Sequence, residues 1–129
     1  MKFDDAIVVI TGGTQGIGKA AATKFLKKGA TTIIVGRDAV KGKTAAEELN
    51  AISGRCTYFQ CDISKPTDIK NLSTYVEKEY GRVDVLFNNA GIALGWDLET
   101  TTVEEWDMVM SVNIRGTFLV TQKLLPLLR

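Results

Sequence analysis

The sequence predicts an α/β protein built on a parallel β-sheet with helices on both faces. Two observations predict this class: short apolar runs rich in β-branched residues, and intervening segments whose apolar residues recur at helical spacing. Strands that alternate with helices form parallel sheets, because each crossover needs a long connection. We expect residues 1–129 to form a single domain, since this length suits one domain and is too short for two.

Four apolar segments are the predicted strands. The first is a continuous, largely β-branched run, AIVVIT, which is typical of a strand buried on both faces. The predicted strands cover residues 6–11, 31–35, 55–60 and 83–87.

The segments between and after these strands have the spacing and the end signals of helices. The end signals are Gly29 after the first helix, Asp38 as N-cap of the second, Ser64 and Pro66 at the start of the third, Gly81 after it, and Thr102 with Glu105 as a capping box for a last stretch in two pieces. The apolar repeats are Ile17, Ala21 and Phe25, then Ala45, Leu49 and Ile52, then Ile69, Leu72 and Val76.

The order of these elements predicts the topology of the sheet. Right-handed crossovers place the first two helices on one face of the sheet. The third connection returns to the other side of the first strand, so the third and terminal helices cover the opposite face. The predicted strand order is 3-2-1-4, with a switch point between strands 1 and 4 where ligands bind beyond the carboxyl ends of the strands.

Composition argues against several kinds of partner. A formal net charge of +1 gives no electrostatic basis for binding nucleic acid or an anionic membrane. No apolar run approaches the ~18 residues of a membrane span, and the polar start of the chain resembles no targeting peptide. Histidine is absent, which removes the commonest metal ligand, so no metal site is predicted.

The two cysteines are predicted to be unpaired. Cys56 and Cys61 lie about 16 Å apart if they share one strand, whereas a disulfide needs less than about 7 Å between Cα atoms. We expect two buried thiols in a protein of the reducing cytoplasm.

A glycine-rich segment lies at the predicted switch point. Residues 11–18, TGGTQGIG, follow the first strand and open the first helix. Small residues let the backbone approach a pyrophosphate, and the helix N-terminus supplies free N–H groups. The alternative is a strand-to-helix turn without a ligand, but the strand and helix on either side favour phosphate binding.

Four segments together resemble the short-chain dehydrogenases/reductases. Residues 11–18 are similar to the family's T-G-x-x-x-G-x-G fingerprint, and residues 88–91 to its N-N-A-G segment. Residues 61–63 resemble the pair that contacts adenine, and residues 112–114 the segment with the asparagine of the catalytic tetrad. The resemblance runs from about residue 5 to the last residue and implies a Rossmann-type fold that binds a nicotinamide dinucleotide.

The resemblance also implies which residues bind this cofactor. Asp62 is expected to accept from the adenine amino group, the alternative being an aspartate that only forms a turn before Ser64. Asn89 is expected to brace the neighbouring strand as well. The implied cofactor-binding residues are Gly12, Thr14, Gln15, Gly16, Ile17, Gly18, Arg37, Asp62, Ile63, Asn89, Ala90 and Gly91.

Arg37 favours NADP(H) over NAD(H). Dehydrogenases specific for NAD place an acidic residue about 20 residues after the glycines, whereas an arginine there accommodates a 2′-phosphate. Gly36 stands where NAD-preferring relatives carry the acid. Asp38 could contact a 2′-hydroxyl, but we interpret it as a helix cap. Gln15 departs from the basic residue common at that place in NADP-preferring relatives, and a merely solvated Arg37 is the alternative.

The catalytic residues of the family are incomplete in this sequence. Its chemistry uses a Ser, a Tyr-x-x-x-Lys pair and an Asn, of which only Asn113 is present. The residues four positions after Tyr58, Tyr75 and Tyr80 are all acidic. Tyr75 and Lys78 are expected to lie on a solvated helix face. We therefore expect residues 1–129 alone to be inactive, and a small carbonyl or hydroxyl substrate only if another segment completes the site; a non-catalytic nucleotide-binding or interaction module is the alternative.

The resemblance implies further strands beyond the fourth, so the sheet of this chain is expected to be truncated before a fifth strand. The fourth strand would then be an exposed apolar edge that invites pairing with another chain. Association with a second copy or with a partner of the same family is therefore predicted. The apolar residues concerned are Val83, Val85, Leu86 and Phe87 at the edge, and Phe118, Leu119, Leu124 and Leu125 in the terminal helix, a region that forms a dimer interface in the family.

Overall fold

Parallel strands form a single sheet in the computed structural model, which describes residues 3–92, 97 and 99–128. Within these residues the sheet has four strands, β1 (Ile7–Thr11), β2 (Thr31–Gly36), β3 (Cys56–Gln60) and β4 (Val85–Asn88). Their order is β3-β2-β1-β4, which confirms the predicted topology. In the register, Val9 of β1 is the partner of both Ile33 in β2 and Leu86 in β4.

Helices connect the strands and follow the last one. The described helices are α1 (Gly16–Lys27), α2 (Ala39–Ser53), α3 (Pro66–Glu79), α4 (Val103–Met110), a π-helix (Ser111–Gly116) and α5 (Thr117–Leu128). The predicted break in the terminal helical stretch is therefore a π-helix, a wider turn that often occurs at functional positions. No helix in the described ranges is both long and apolar enough to cross a membrane.

Most helix ends follow the predicted signals. Asp38 caps α2, because its Oδ1 accepts from the backbone N–H groups of Val40 and Lys41 at 3.0 and 3.1 Å. Thr102 caps α4 through Oγ1, which accepts from the N–H of Glu105. At the start of α3 the prediction was half right. Pro66 is the first residue of the helix, but Lys65 is its N-cap, and Ser64 donates to the preceding turn.

Apolar residues of the helices cover both faces of the sheet. On one face, Val9 and Ile33 pack in a cluster with α3 and α5, and the predicted inward residues of α3 are all buried there. On the other face, Val8 and Ile34 pack with α1 and α2. The layer arrangement thus agrees with the predicted crossovers. The buried helix residues in these clusters are Ala22, Leu26, Ala45, Leu49, Ile69, Leu72, Val76, Val112, Val120 and Leu124.

The buried face of α1 is displaced by one residue from its apolar repeat. Gly18, Ala22 and Leu26 face the core, while Ile17 is 74% exposed. In α2, Ala45 and Leu49 are buried as expected, but Ile52 is exposed.

The predicted environment of Tyr75 was wrong. Its ring packs on Phe59 with a centroid distance of 4.8 Å and meets Tyr80 edge-on at 6.2 Å. Tyr75 therefore belongs to the periphery of the core.

Only some of the apolar residues predicted at the open edge of the sheet are exposed. β4 pairs with β1, and no strand of the described residues lies on its other side. Val83 is buried, and its N–H donates to the carbonyl of Leu127. In α5, Leu124 is fully buried, whereas Phe118 is 59% exposed. Val83 and Leu124 are therefore not part of the predicted association surface. That surface is limited to the half-buried face of β4 and the exposed side of α5.

Candidate functional site

A cleft lies beyond the carboxyl ends of the strands, at the predicted switch point. Its volume is about 440 Å³. It is lined by the turn after β1, the ends of the other strands and the first part of the π-helix. The lining residues are Gly12, Thr14, Gln15, Gly16, Ile17, Val35, Gly36, Arg37, Asp38, Lys41, Cys61, Asp62, Ile63, Asn89, Ala90, Gly91, Ile92 and Val112. The fold thus brings together every residue predicted to bind the cofactor except Gly18.

Glycines of the turn serve two different needs. Gly12 has a φ of +65°, and a Cβ there would lie 2.9 Å from the Cα of Ala90. In Gly18, a Cβ would lie 2.1 Å from the carbonyl oxygen of Gly12. These two glycines let parts of the protein pack closely. Gly16 differs, since apart from its chain neighbours and its own helix no described atom lies within 4 Å of its Cβ position. Its backbone is therefore open to a ligand.

The N-terminus of α1 lies in the cleft with its N–H groups available. Gln15 is the N-cap, and in the described structure its side chain makes no capping hydrogen bond. The first turn of α1 also contains no acidic residue. By contrast, Asp38 caps α2 and Thr102 caps α4. The unsatisfied N–H groups and the positive end of the helix dipole suit an anion at this position.

Thr11 joins the two strands that border the switch point. Its buried Oγ1 accepts hydrogen bonds from the N–H groups of Asn89 and Ala90 at 3.1 and 3.0 Å. The Asn89 side chain donates in turn to the carbonyl of Gly12 at 3.2 Å, which is the bracing role that the sequence resemblance implies. The sequence contained Thr11 as the first residue of the glycine motif, but its spacing gave no sign of this link to β4.

Asp62 forms the turn that the sequence left open as one alternative, and it also lies at the cleft. Its Oδ1 accepts from the N–H and the hydroxyl of Ser64 at 2.9 and 2.7 Å. Burial opposes ionisation of Asp62, but the hydrogen bonds from Ser64, helped by Lys65 and Arg37, keep its pKa below the ordinary value. The group is therefore a charged acceptor at neutral pH.

The segment after β2 presents two cations to the cleft. Arg37 makes no ion pair with another described residue, and its side chain is exposed. Asp38 is engaged as the cap of α2, as predicted, through its Oδ1. Lys41, in the first turn of α2, also lines the cleft. Lys41 was not predicted from the sequence, although it lies only four residues after Arg37 at the start of a helix.

Asn113 lies in the π-helix beside the cleft. Its Oδ1 accepts from the N–H of Ile92 at 2.8 Å, and its Nδ2 donates to the carbonyl of Ile92 at 2.9 Å. A Cβ on Gly91 would lie 3.3 Å from the Asn113 Oδ1. The amide therefore fixes the segment after β4 against the π-helix, whose Val112 lines the cleft.

Taken together, these groups fit an elongated anionic nucleotide. The open backbone at Gly16 and the uncapped α1 offer N–H donors for a pyrophosphate. Asp62 offers an acceptor at one wall, and Arg37 with Lys41 offers positive charge beside it. Exposed Ile17 and half-buried Ile92 add apolar surface. The residues present thus suit an elongated anionic dinucleotide.

Comparison with known proteins gives the same picture. The chain is 39% identical over 116 residues to the NADP-dependent (R)-specific alcohol dehydrogenase of Lentilactobacillus kefiri. The aligned region covers 90% of this chain and 46% of that protein. It is similar to the Pseudomonas aeruginosa RhlG/NADP active-site complex, with a TM-score of 0.89 and 36% identity over 98% of this chain and 50% of that one. It is also similar to the 3-ketoacyl-(acyl-carrier-protein) reductase of Brucella melitensis complexed with NADH, with a TM-score of 0.89 and 35% identity over 97% and 51%.

The chain spans about half the length of the curated relatives it matches. Residues 6–129 match the family described as short chain dehydrogenase. The chain therefore belongs to the short chain dehydrogenase family, whose members are oxidoreductases that use nicotinamide cofactors.

Proposed function

We propose that this chain is the cofactor-binding part of an NADP(H)-dependent oxidoreductase that interconverts carbonyl and hydroxyl groups. The observation that carries the proposal is a cleft that combines the uncapped N-terminus of α1 with the guanidinium of Arg37, which has no ion pair among the described residues. The first suits a pyrophosphate, and the second suits a 2′-phosphate. We expect residues 1–129 to form one nucleotide-binding unit.

The preference for NADP(H) rests on the chemistry of the segment after β2. Gly36 provides no carboxylate to accept from a ribose 2′-hydroxyl, and one carboxylate oxygen of Asp38, Oδ1, is engaged at the start of α2. Arg37 can bind a phosphate through two parallel hydrogen bonds, and Lys41 adds a second positive charge. The NADP-dependent relative from Lentilactobacillus kefiri and the RhlG/NADP complex support this choice, while the Brucella reductase complexed with NADH shows that neighbours of this fold also take NADH.

The bound nicotinamide would supply the hydride donor or acceptor of the reaction. The residues of this chain would bind and orient it: Asp62 and Ile63 at the adenine, and Asn89 with Ala90 and Gly91 at the riboses. Asn113 would serve the catalytic tetrad by holding the π-helix in place. Residues 1–129 contain no Tyr-x-x-x-Lys, so we propose that they bind the cofactor without turnover and that the activity belongs to a protein in which another segment supplies that pair.

A non-catalytic nicotinamide-nucleotide-binding or interaction module is the second candidate. The cleft with the uncapped N-terminus of α1 suits it equally, because nucleotide binding there needs no catalytic pair. Fusing the corresponding part of a family relative after residue 129 separates the two candidates. Carbonyl reduction by the fusion supports the oxidoreductase, whereas cofactor binding without reduction supports the module.

We further propose that the chain associates with a second copy or with a longer member of its family. The half-buried side of β4 and the exposed Phe118 and Leu125 of α5 support this, because unpaired apolar edges favour association. The unpaired thiols of Cys56 and Cys61 support a cytoplasmic location. A monomer at about 0.1 mM in sedimentation experiments would contradict the proposed association.

Titration of the purified chain with NADPH, and separately with NADH, tests the proposal by the change in nucleotide fluorescence. Saturable binding that is tighter for NADPH supports it. Absence of binding of either nucleotide at millimolar concentration contradicts it. The same samples are assayed for carbonyl reduction, where turnover by residues 1–129 alone would contradict the predicted inactivity.

A further inference from the structure

Tyr58 connects the end of β2 to the sheet through its hydroxyl group. It lies in the middle of β3, and its Oη donates to the carbonyl of Gly36 at 2.7 Å. The same carbonyl accepts from the N–H of Cys61 at 3.0 Å. The peptide group that directly precedes Arg37 is thus held by two hydrogen bonds from one neighbouring segment.

The ring of the same tyrosine also contacts the first turns of α2. Gly42 is buried in α2, and a Cβ at this position would lie 2.1 Å from the Cε1 and the Cζ of Tyr58. The ring therefore occupies the space that a side chain at residue 42 would need. One side chain of β3 in this way fixes both ends of the segment 36–42.

The segment between these two contacts carries the cations of the cleft. Arg37, Asp38 and Lys41 all lie within it, and all line the cleft. A second side chain of β3, that of Gln60, donates from Nε2 to the carbonyl of Arg37 at 3.2 Å. Because a guanidinium binds phosphate through directional, paired hydrogen bonds, a shift of this backbone changes phosphate binding more than it changes the contacts of the rest of a dinucleotide.

We propose that Tyr58 is a positioning residue that sets the cofactor preference of this chain by fixing the segment 36–42, through its hydrogen bond to Gly36 and its ring contact at Gly42. The inference rests on the proposed function, since it assumes that the cleft binds a nicotinamide dinucleotide. Burial and the nearby carboxylate of Asp38 raise the pKa of Tyr58, so its hydroxyl remains a donor throughout the neutral range.

The test compares Tyr58→Phe with the unmodified chain in titrations with NADPH and NADH. This substitution removes one hydroxyl and leaves the ring against Gly42. A neutral hydrogen bond that orients a charged contact corresponds to roughly a threefold to tenfold change in affinity, and we expect that loss for NADPH. For NADH we expect less than about a twofold change by the same conversion. The matched control is Tyr75→Phe, which removes a tyrosine hydroxyl in the cluster on the opposite face of the sheet and should leave both affinities unchanged.

A double-mutant cycle with Arg37→Ala shows whether Tyr58 acts through Arg37. In the Arg37→Ala background, Tyr58→Phe should no longer change the ratio of the NADPH and NADH dissociation constants. Gly42→Ala tests the ring contact of Tyr58, because the added methyl group displaces the ring. This substitution should also reduce the preference for NADPH over NADH.

The outcomes separate this inference from the proposed function. If the unmodified chain prefers NADPH and Tyr58→Phe weakens both nucleotides equally, or neither, the positioning role is overturned while the proposed function stands. If the unmodified chain binds neither nucleotide, the proposed function fails and this inference fails with it.

Discussion

The side-chain amide of Asn113 makes two hydrogen bonds to the backbone of a single residue, Ile92. The Oδ1 accepts from the N–H and the Nδ2 donates to the carbonyl, at 2.8 and 2.9 Å. An amide oriented in this way pairs like a strand neighbour and fixes the π-helix to the segment that follows β4. The wall of the cleft near Val112 therefore depends on one side chain.

Asn113→Ala is expected to lower the free energy of unfolding by about 1–3 kcal/mol, because both polar groups of Ile92 lose their partner. Asn113→Asp should cost at least as much, since a carboxylate cannot donate to the Ile92 carbonyl. Urea unfolding followed by circular dichroism measures these values. Asn71→Ala, on the exposed side of α3, is the control and should change stability by less than about 0.5 kcal/mol. Equal effects of Asn113→Ala and Asn71→Ala would contradict the role given to Asn113.

Two glycines of the turn after β1 are expected to respond differently to alanine. Gly18→Ala forces a Cβ to within 2.1 Å of a backbone oxygen, so it should lower the free energy of unfolding by more than about 2 kcal/mol. Gly16→Ala meets no neighbouring group and should cost only about 1 kcal/mol for its positive φ. The added methyl group would nevertheless occupy the surface that a pyrophosphate approaches, so NADPH affinity should fall at least about tenfold. Unchanged NADPH affinity in a folded Gly16→Ala chain would contradict this assignment.

The hydroxyl of Thr32 is a buried polar group without a partner among the described residues. It lies in β2 with no exposed surface. Thr32→Val keeps the shape and removes the unsatisfied oxygen, so the free energy of unfolding should rise by about 1 kcal/mol. Thr31→Val, at the adjacent, half-buried position, is the control and should give a smaller gain. A loss of stability in Thr32→Val would show that the hydroxyl has a partner after all.

Alkaline pH is expected to destabilise the fold through its thiols. Burial raises the pKa of Cys56 to about 11, and burial with the charges of Asp68 and Asp62 raises that of Cys61 to about 12. In the unfolded chain a thiol ionises near pH 8.5, so the folded state retains protons that the unfolded state releases. This contribution to stability is complete below about pH 8.5 and is lost as the pH rises toward 12.

Urea midpoints at pH 7.5 and pH 10 measure the effect, and the midpoint should be lower at pH 10. The Cys61→Ala variant should show a smaller difference between the two pH values. A midpoint that rises between pH 7.5 and pH 10 is the result that contradicts this expectation.

The sequence predicted the strands and the face of α3 because those features depend on local patterns. A run such as AIVVIT is continuous, and Ile69, Leu72 and Val76 repeat at one helical interval, so each burial choice is unambiguous. The face of α1 was not predictable in the same way. Gly18 must face the carbonyl of Gly12 across the turn, and this close approach, which the apolar repeat does not encode, turns Ile17 outward into the cleft.

The same distinction between local patterns and contacts that no pattern encodes applies to the residues of the candidate site. The glycines and Asp62 were predicted because their residue types match a recognisable motif at the end of a strand. Thr11 and Tyr58 act through hydrogen bonds to residues 78 and 22 positions away, and no spacing in the sequence encodes such a pair. Lys41 lies in the cleft at the start of α2, where Asp38 caps the helix.

NADP(H) is proposed to bind in the cleft through the guanidinium of Arg37. The most direct test is the ratio of the NADH and NADPH dissociation constants for the unmodified chain and for Arg37→Ala, with Lys43→Ala on the exposed side of α2 as a control for charge. We expect the unmodified chain and the control to prefer NADPH, and Arg37→Ala to weaken NADPH about tenfold to a hundredfold while leaving NADH nearly unchanged. Preference of the unmodified chain for NADH, or an equal loss of both nucleotides in Arg37→Ala, would contradict the claim.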